Sequence, residues 1–157
     1  EQFANTYRNF DYGYSVIIPS GLSGEAGNHP LLQNHGFTIL LSERPLAYIY
    51  VTAWYDVLET ETSPNLERRN LAWLKKTADV RIIRVSNLPI SLASTPARRY
   101  VARIKCKEHP GVYVKDETLV VWNGIEYTVG LLAPEKRYKS DVTILNRILD
   151  SWAWIQK

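Results

Sequence analysis

A chain of 157 residues, 45% hydrophobic and 22% charged, has the size and composition of one globular domain that buries its core without disulfides or metals. No run approaches the roughly 18 apolar residues of a membrane-spanning helix, and a net charge of +3 is too small to point to nucleic acid. The single cysteine, Cys106, excludes an internal disulfide.

The chain contains no methionine, so Glu1 is expected to be a processed or a cropped start. This favours an exported domain, periplasmic or extracellular, and is compatible with a lipid anchor upstream of residue 1. Residues 1–8 read as a loose polar lead-in. Residues 11–18 alternate, with Tyr12, Tyr14, Val16 and Ile18 on one side, which predicts a half-buried strand ended by Pro19. Residues 20–34 show no periodicity and read as a long surface loop, a kind of segment that is often functional. Two strands follow, over 36–41 and 47–55. The second carries an aromatic stripe, Tyr48, Tyr50 and Trp54 with Thr52, on the face opposite Ile49, Val51 and Ala53. A covering helix would make that stripe core; left bare, it is a recognition patch. Core is the expected outcome.

Ser63-Pro64 opens a helix, Ser63 as its cap and Pro64 in its first turn. Its apolar side carries Leu66, Leu71, Trp73 and Leu74, and Glu67 is expected in water. A strand over 80–88, an irregular connection bracketed by Pro89 and Pro96, and a long strand over 97–107 come next. Glu108-His109-Pro110-Gly111 reads as the turn into a strand over 112–122.

Asn123-Gly124 between two apolar runs is the strongest local signal, because both residues tolerate the positive φ of a type I′ turn. It sets Trp122 opposite Ile125, Val120 opposite Tyr127 and Thr118 opposite Val129. Carried through the Pro110-Gly111 turn, the same pleat puts Arg103 opposite Glu117 and Tyr100 opposite Val120. Tyr100, Ala102, Ile104 and Cys106 then share the core face with Val120 and Tyr127. Arg99, Arg103, Lys105 and Lys107 share the other face with Leu119 and Val121. A last helix is expected from about Ser140, with Val142, Leu145, Ile148, Leu149 and Trp152 as its apolar stripe. The fold class is therefore α+β: a twisted, mainly antiparallel sheet of about six or seven strands with helices packed on it.

Charge is segregated along the chain. Residues 68–107 hold eleven basic groups and one acid, Asp79, leaving 8 basic and 15 acidic groups elsewhere. Such segregation gives a directional field unless folding brings acids alongside.

No chemistry-bearing spacing is present. His29, His35 and His109 show no HxH or HExxH arrangement, there is no CxxC and no Gly-x-Ser-x-Gly elbow, and no glycine-rich loop joins a strand to a helix. Neither a metal nor a cofactor is expected. Cys106 alternates with core positions and reads as a structural thiol.

The strand Tyr12-Gly13-Tyr14-Ser15-Val16-Ile17-Ile18-Pro19, the helix after the third strand, the late meander and the closing Ile148-Leu149-Asp150-Ser151-Trp152 together resemble the PsbP-like superfamily. The resemblance implies one domain over residues 1–157, an α/β/α sandwich, and a scaffold used for binding proteins rather than for catalysis. The leading functional expectation is a non-catalytic accessory domain that docks an acidic protein surface through Arg99, Arg103, Lys105 and Lys107. The alternative is a small hydrolytic or small-molecule-binding enzyme, its cleft under the 20–34 loop and His29 or His35 its base.

Overall fold

The structure, a computed structural model, describes residues 2–27, 35–56 and 58–156. Thirteen elements follow in order: β1 Gln2–Ala4, β2 Thr6–Asn9, β3 Tyr14–Ile17, β4 Ser23–Ala26, β5 Gly36–Glu43, β6 Leu46–Tyr55, α1 Ser63–Lys76, β7 Val80–Leu92, β8 Thr95–Cys106, β9 His109–Trp122, β10 Ile125–Pro134, α2 Glu135–Asp150 and β11 Ala153–Trp154. The main sheet is antiparallel, in the order β1-β4-β5-β6-β10-β9-β8-β7, and β11-β3-β2 form a small second sheet. Six of the eight main strands are long, and β1 and β4 are short additions at one edge.

The Asn123-Gly124 turn forms as its residues require, with φ of 52° and 71°. The register it sets is the one observed, Trp122 to Ile125, Val120 to Tyr127 and Thr118 to Val129. One face of the main sheet carries the larger core. Val120, Tyr127, Val129 and Leu131 meet Leu145 and Ile148 from the last helix, Trp152 just past its end, and Tyr7, Tyr14 and Val16 from the small sheet. The α2 stripe lies as its periodicity predicts, although the helix starts a turn and a half earlier than Ser140, at Glu135.

The two ends of the chain that carry the superfamily resemblance meet in this layer. Trp152 stacks flat on Tyr14 at 4.5 Å between ring centres, and the Ile17 amide donates to Ser151 Oγ at 2.9 Å. The Tyr127 hydroxyl donates to the Tyr12 carbonyl at 2.5 Å, tying the small sheet to the large one.

The register between β8 and β9 departs from expectation by three residues. Tyr100 pairs with Glu117 rather than Val120, and Arg103 pairs with Val114 rather than Glu117. The reversal is the two-residue step Lys107-Glu108, with Cys106 opposite His109. Pro110-Gly111 lies inside β9, where Gly111 at φ 89° serves an irregularity in the pairing instead of a turn. A shift of three is odd, so every β8 side chain changes face. Tyr100, Ala102 and Ile104 therefore form a second core with Leu119, Tyr113, Leu66 and Leu74, under α1. Leu119, expected on the basic face, is fully buried there.

Four local expectations also give way. Residues 2–8 are not a lead-in but form β1 and most of β2, and the 20–34 segment contains β4; residues 1 and 28–34 lie outside the described residues. The 88–96 connection is a hairpin: β7 continues to Leu92, and Ala93 and Ser94 turn at φ of 46° and 65°. Pro89 is tolerated because β7 is an edge strand. The α1 cap is Thr62, whose Oγ1 accepts from the Asn65 amide at 3.3 Å. Ser63 is buried instead, accepting from the Val121 amide at 2.9 Å and pinning the helix to the sheet.

Helix α1 lies over β7, β8 and β9 and stops short of β5 and β6. On that uncovered part, the Tyr50 ring crosses directly over Gly130, its Cα partner on β10. A Cβ at Gly130 would overlap the Tyr50 ring, whereas a Cβ at Gly36 would overlap the Val51 backbone carbonyl. A ring can swing aside and a strand backbone cannot. Gly36→Ala is therefore expected to cost about 2–4 kcal/mol and Gly130→Ala less. A chemical-denaturation double-mutant cycle with Tyr50→Ala should show a coupling of about 1–3 kcal/mol for Gly130, and none for Gly36.

Candidate binding surfaces

Flipping β8 redistributes the expected basic face. Arg99 is not free: its Nε and one terminal nitrogen donate to the two carboxylate oxygens of Asp116, both at 2.8 Å, and its other terminal nitrogen reaches Asn146 Oδ1 on α2 at 3.1 Å. Asp116 is fully buried and also accepts from the Tyr138 hydroxyl at 2.7 Å. Burial and that hydrogen bond push the Tyr138 hydroxyl well above its ordinary value near 10. This is a planar, two-pronged ion pair inside the α2 interface, a structural element. Arg103 is half-exposed and meets Glu135 at 2.6 Å, and Lys107 meets Asp79 at 2.9 Å in the β8–β9 turn. Lys105 is exposed without an acidic partner among the described residues.

The same face receives two cations from β7. Arg81 pairs with Lys105 and Arg84 with Arg103 as direct cross-strand partners, so the four side chains stand together. Arg81 and Arg84 are exposed and have no acidic partner among the described residues. Helix α2 covers β9 and β10 and leaves this outer strip bare. Their sequence spacing of three hid the pair, because the Ile82/Arg84 irregularity restores them to one face.

The other side of the sheet carries a groove of about 760 Å³ between α1 and β6. Tyr48, Tyr50, Thr52 and Trp54 line one wall and Arg69, Asn70 and Trp73 of α1 the other, with Glu117 and Thr128 beneath. The aromatic stripe is therefore not core as expected. Tyr48 and Tyr50 are half-buried, while Trp54 is 44% and Trp73 64% exposed. Trp73, expected in the apolar face of α1, lies on the groove side because the core contacts of that helix are made by Leu66 and Leu74.

Charge in the groove is compensated internally. Arg69 bridges Glu61 at 2.7 Å and Glu126 at 2.5 Å, and Lys115 Nζ lies 3.5 Å from Glu117 and 5.7 Å from the Trp73 ring centre. Glu117 is buried and accepts from the Tyr100 hydroxyl. Burial and the facing Glu117 carboxylate drive both the Tyr100 and Tyr50 hydroxyls far above their ordinary range. Glu67, expected in water, is also buried, holding Arg98 and Asn87 at 3.2 Å each.

Of the two loop histidines, His35 is the one described, and its ring has no free nitrogen. His35 Nδ1 donates to the Ala53 carbonyl at 2.6 Å, leaving Nε2 to accept from the Tyr12 hydroxyl at 3.3 Å, and the ring packs 4.3 Å from Trp54. Both nitrogens are occupied, and the ring lines neither surface described above. His29 lies outside the described residues, and His109 packs near Tyr113. Among the described residues no group of three or more His, Cys, Asp or Glu is placed to hold a metal. Cys106 is half-buried against the second core, and burial raises its thiol.

Cyanobacterial PsbP from Synechocystis superposes with a TM-score of 0.64 at 15% identity, over 95% of this chain and 91% of that one. The fold is PsbP-like. LpqN of Mycobacterium tuberculosis, involved in cell envelope biogenesis, matches with a TM-score of 0.65 at 9% identity, over 99% and 91% of the two chains. The Ran-binding protein Mog1p of Saccharomyces cerevisiae matches with 0.57 at 9%, over 99% and 97%. No protein-family model and no curated protein matches the sequence. No helix among the described residues of this PsbP-like domain is long and apolar enough to cross a membrane.

Two outcomes separate structural charge from free charge. Asp116→Ala strands Arg99 in the α2 interface and should cost about 3–5 kcal/mol in urea denaturation, whereas Lys105→Ala should stay within about 0.5 kcal/mol. The buried tyrosines also give an alkaline limit. Their folded pKa values lie above the unfolded value near 10, so their contribution is complete below pH 10 and is lost as pH rises above it. Tyr100→Phe should lower stability at pH 7 by about 1–3 kcal/mol, because Glu117 loses its donor. The same variant should flatten the fall in melting temperature between about pH 10 and 11.5.

Proposed function

We propose that this chain is a non-catalytic, protein-binding accessory domain that docks an acidic partner surface through the Arg81, Arg84, Arg103 and Lys105 strip on β7 and β8. One observation carries the reading: Arg81 stands directly opposite Lys105, and Arg84 directly opposite Arg103. Like charges in direct cross-strand register destabilise a sheet, and of the four only Arg103 has an acid beside it among the described residues. An acidic partner relieves both repulsions at once and speeds encounter through the same field. Arg99, which the sequence grouped with this face, belongs to the scaffold, and Lys107 lies at the turn beside Asp79.

The structural neighbours support this class of function. Mog1p is a Ran-binding protein built on the same fold, so the scaffold is compatible with recognising another protein. Export is part of the proposal, supported by the cell-envelope role of LpqN.

The repulsion makes the test sharp. Arg84→Glu puts opposite charges in register with Arg103 and should raise stability by about 0.2–1 kcal/mol. The triple variant Arg81→Glu, Arg84→Glu, Lys105→Glu should remain folded. It should lose the salt-sensitive partner recovered by the wild-type chain from native extract and cross-linked at Lys105. A partner recovered in equal yield by the triple variant would remove the proposal.

A further inference from the structure

We infer that the groove between α1 and β6 is a second, independent docking site, and that its occupant is an uncharged, proline-rich segment in the polyproline II conformation. Three properties of the groove select this ligand.

The first is its neutrality. Glu126 and Glu117, the groove carboxylates, are already held by Arg69 and Lys115, so a strongly charged ligand must break an existing pair to enter. The second is shape. Tyr48, Tyr50 and Trp54 alternate along one face of β6, and Trp73 faces them from α1, giving an aromatic trough. The six residue steps from Tyr48 to Trp54 span about 20 Å, the length of about six or seven polyproline II residues at 3.1 Å each. Rigid proline rings pack on such a trough without losing the entropy that a flexible peptide loses.

The third is an excess of donors. A polyproline II segment presents backbone carbonyls that have no internal partner. The indole nitrogens of Trp54 and Trp73, the Tyr48 hydroxyl and the Asn70 amide have no hydrogen-bond partner among the described residues. The two indoles donate only, and the hydroxyl and the amide can donate as well as accept, so a ligand that carries acceptors and no donors satisfies the set. Sugars, which also stack on aromatic rings, carry as many donors as acceptors, and their hydroxyls would compete with Arg69 and Lys115 for the groove carboxylates. The groove lies on the opposite side of the sheet from the β7–β8 basic strip, so the two surfaces can be tested separately.

The test is a two-dimensional ¹H–¹⁵N titration of the whole chain with decaproline, which has no side-chain charge. The indole cross-peaks of Trp54 and Trp73 should move saturably while those of Trp122, Trp152 and Trp154 stay in place. Trp73→Ala, at an exposed position, should weaken binding by roughly tenfold. Tyr48→Phe, which removes one donor and no packing, should weaken it by a smaller factor. The Arg81→Glu, Arg84→Glu, Lys105→Glu variant should bind decaproline as the wild type does, so failure of the basic-strip reading leaves this one standing. Unmoved indole peaks at about millimolar decaproline would overturn the inference. So would equal shifts with a glycine-serine decapeptide, or shifts produced by cellohexaose and not by decaproline.

Discussion

The parity of the β9–β10 hairpin governs everything else in this molecule. Asn123 and Gly124 both sit at positive φ, and a two-residue turn of that kind permits one register. Because side chains alternate with a period of two, that register assigns every residue of two central strands to one of two faces. The α2 stripe and the small sheet then have one place to go, over Val120, Tyr127 and Val129. Helix α1 has the other, over Leu119 and Tyr113. The central pair is the reference from which the chemistry of each surface follows.

The arrangement of charge shows how much one odd shift can change. In the observed register Arg99 lies beside Asp116 and closes a buried pair, while Tyr100 turns beneath α1 and donates to Glu117. Buried carboxylates are costly unless hydrogen-bonded and paired. Each one among the described residues has such partners: Asp116 has Arg99 and Tyr138, Glu117 has Tyr100 and Lys115, Glu67 has Arg98 and Asn87, and Asp141 has Arg137. Two residues of the basic run between 68 and 107, Arg98 and Arg99, are consumed in this way. Of the others, Arg81, Arg84 and Lys105 stand on the outer part of the sheet face that α2 leaves bare. A structural use of charge inside thus defines, by subtraction, the charge available outside.

The same subtraction produces the groove. A helix of fourteen residues is about 21 Å long and cannot cover a sheet this wide. Glu67 and Ser63 hold α1 toward β7 to β9 by polar contacts, so the β6 aromatic stripe is left half-covered. Gly130 completes the floor, since only a residue without a side chain lets Tyr50 lie across β10 toward Glu117. PsbP, LpqN and Mog1p show the scaffold in proteins with 15% identity or less to this one. At that distance the layer architecture is shared, and the surfaces are each chain's own.

By itself the sequence determined the α+β class, the β9–β10 register, the α2 stripe and the buried alternation Tyr12, Tyr14, Val16, Ile18, because each rests on a local rule with a short range. It also placed the closing Ser151-Trp152 in a recognisable context, and the structure shows that pair seated on β3. Only the tertiary structure decided which face Arg99, Arg103 and Lys105 occupy. Pro110-Gly111 looks like a turn and sits in a strand, and an irregularity of two residues in β9 cannot be read from composition. Only the tertiary structure brought Arg81 and Arg84 beside them, and only it left Trp54 and Trp73 facing each other across open space. Both outcomes depend on pairings between residues far apart in the chain. Local propensity fixes what an element is, but long-range registry and the finite width of a helix decide which of its side chains meet water.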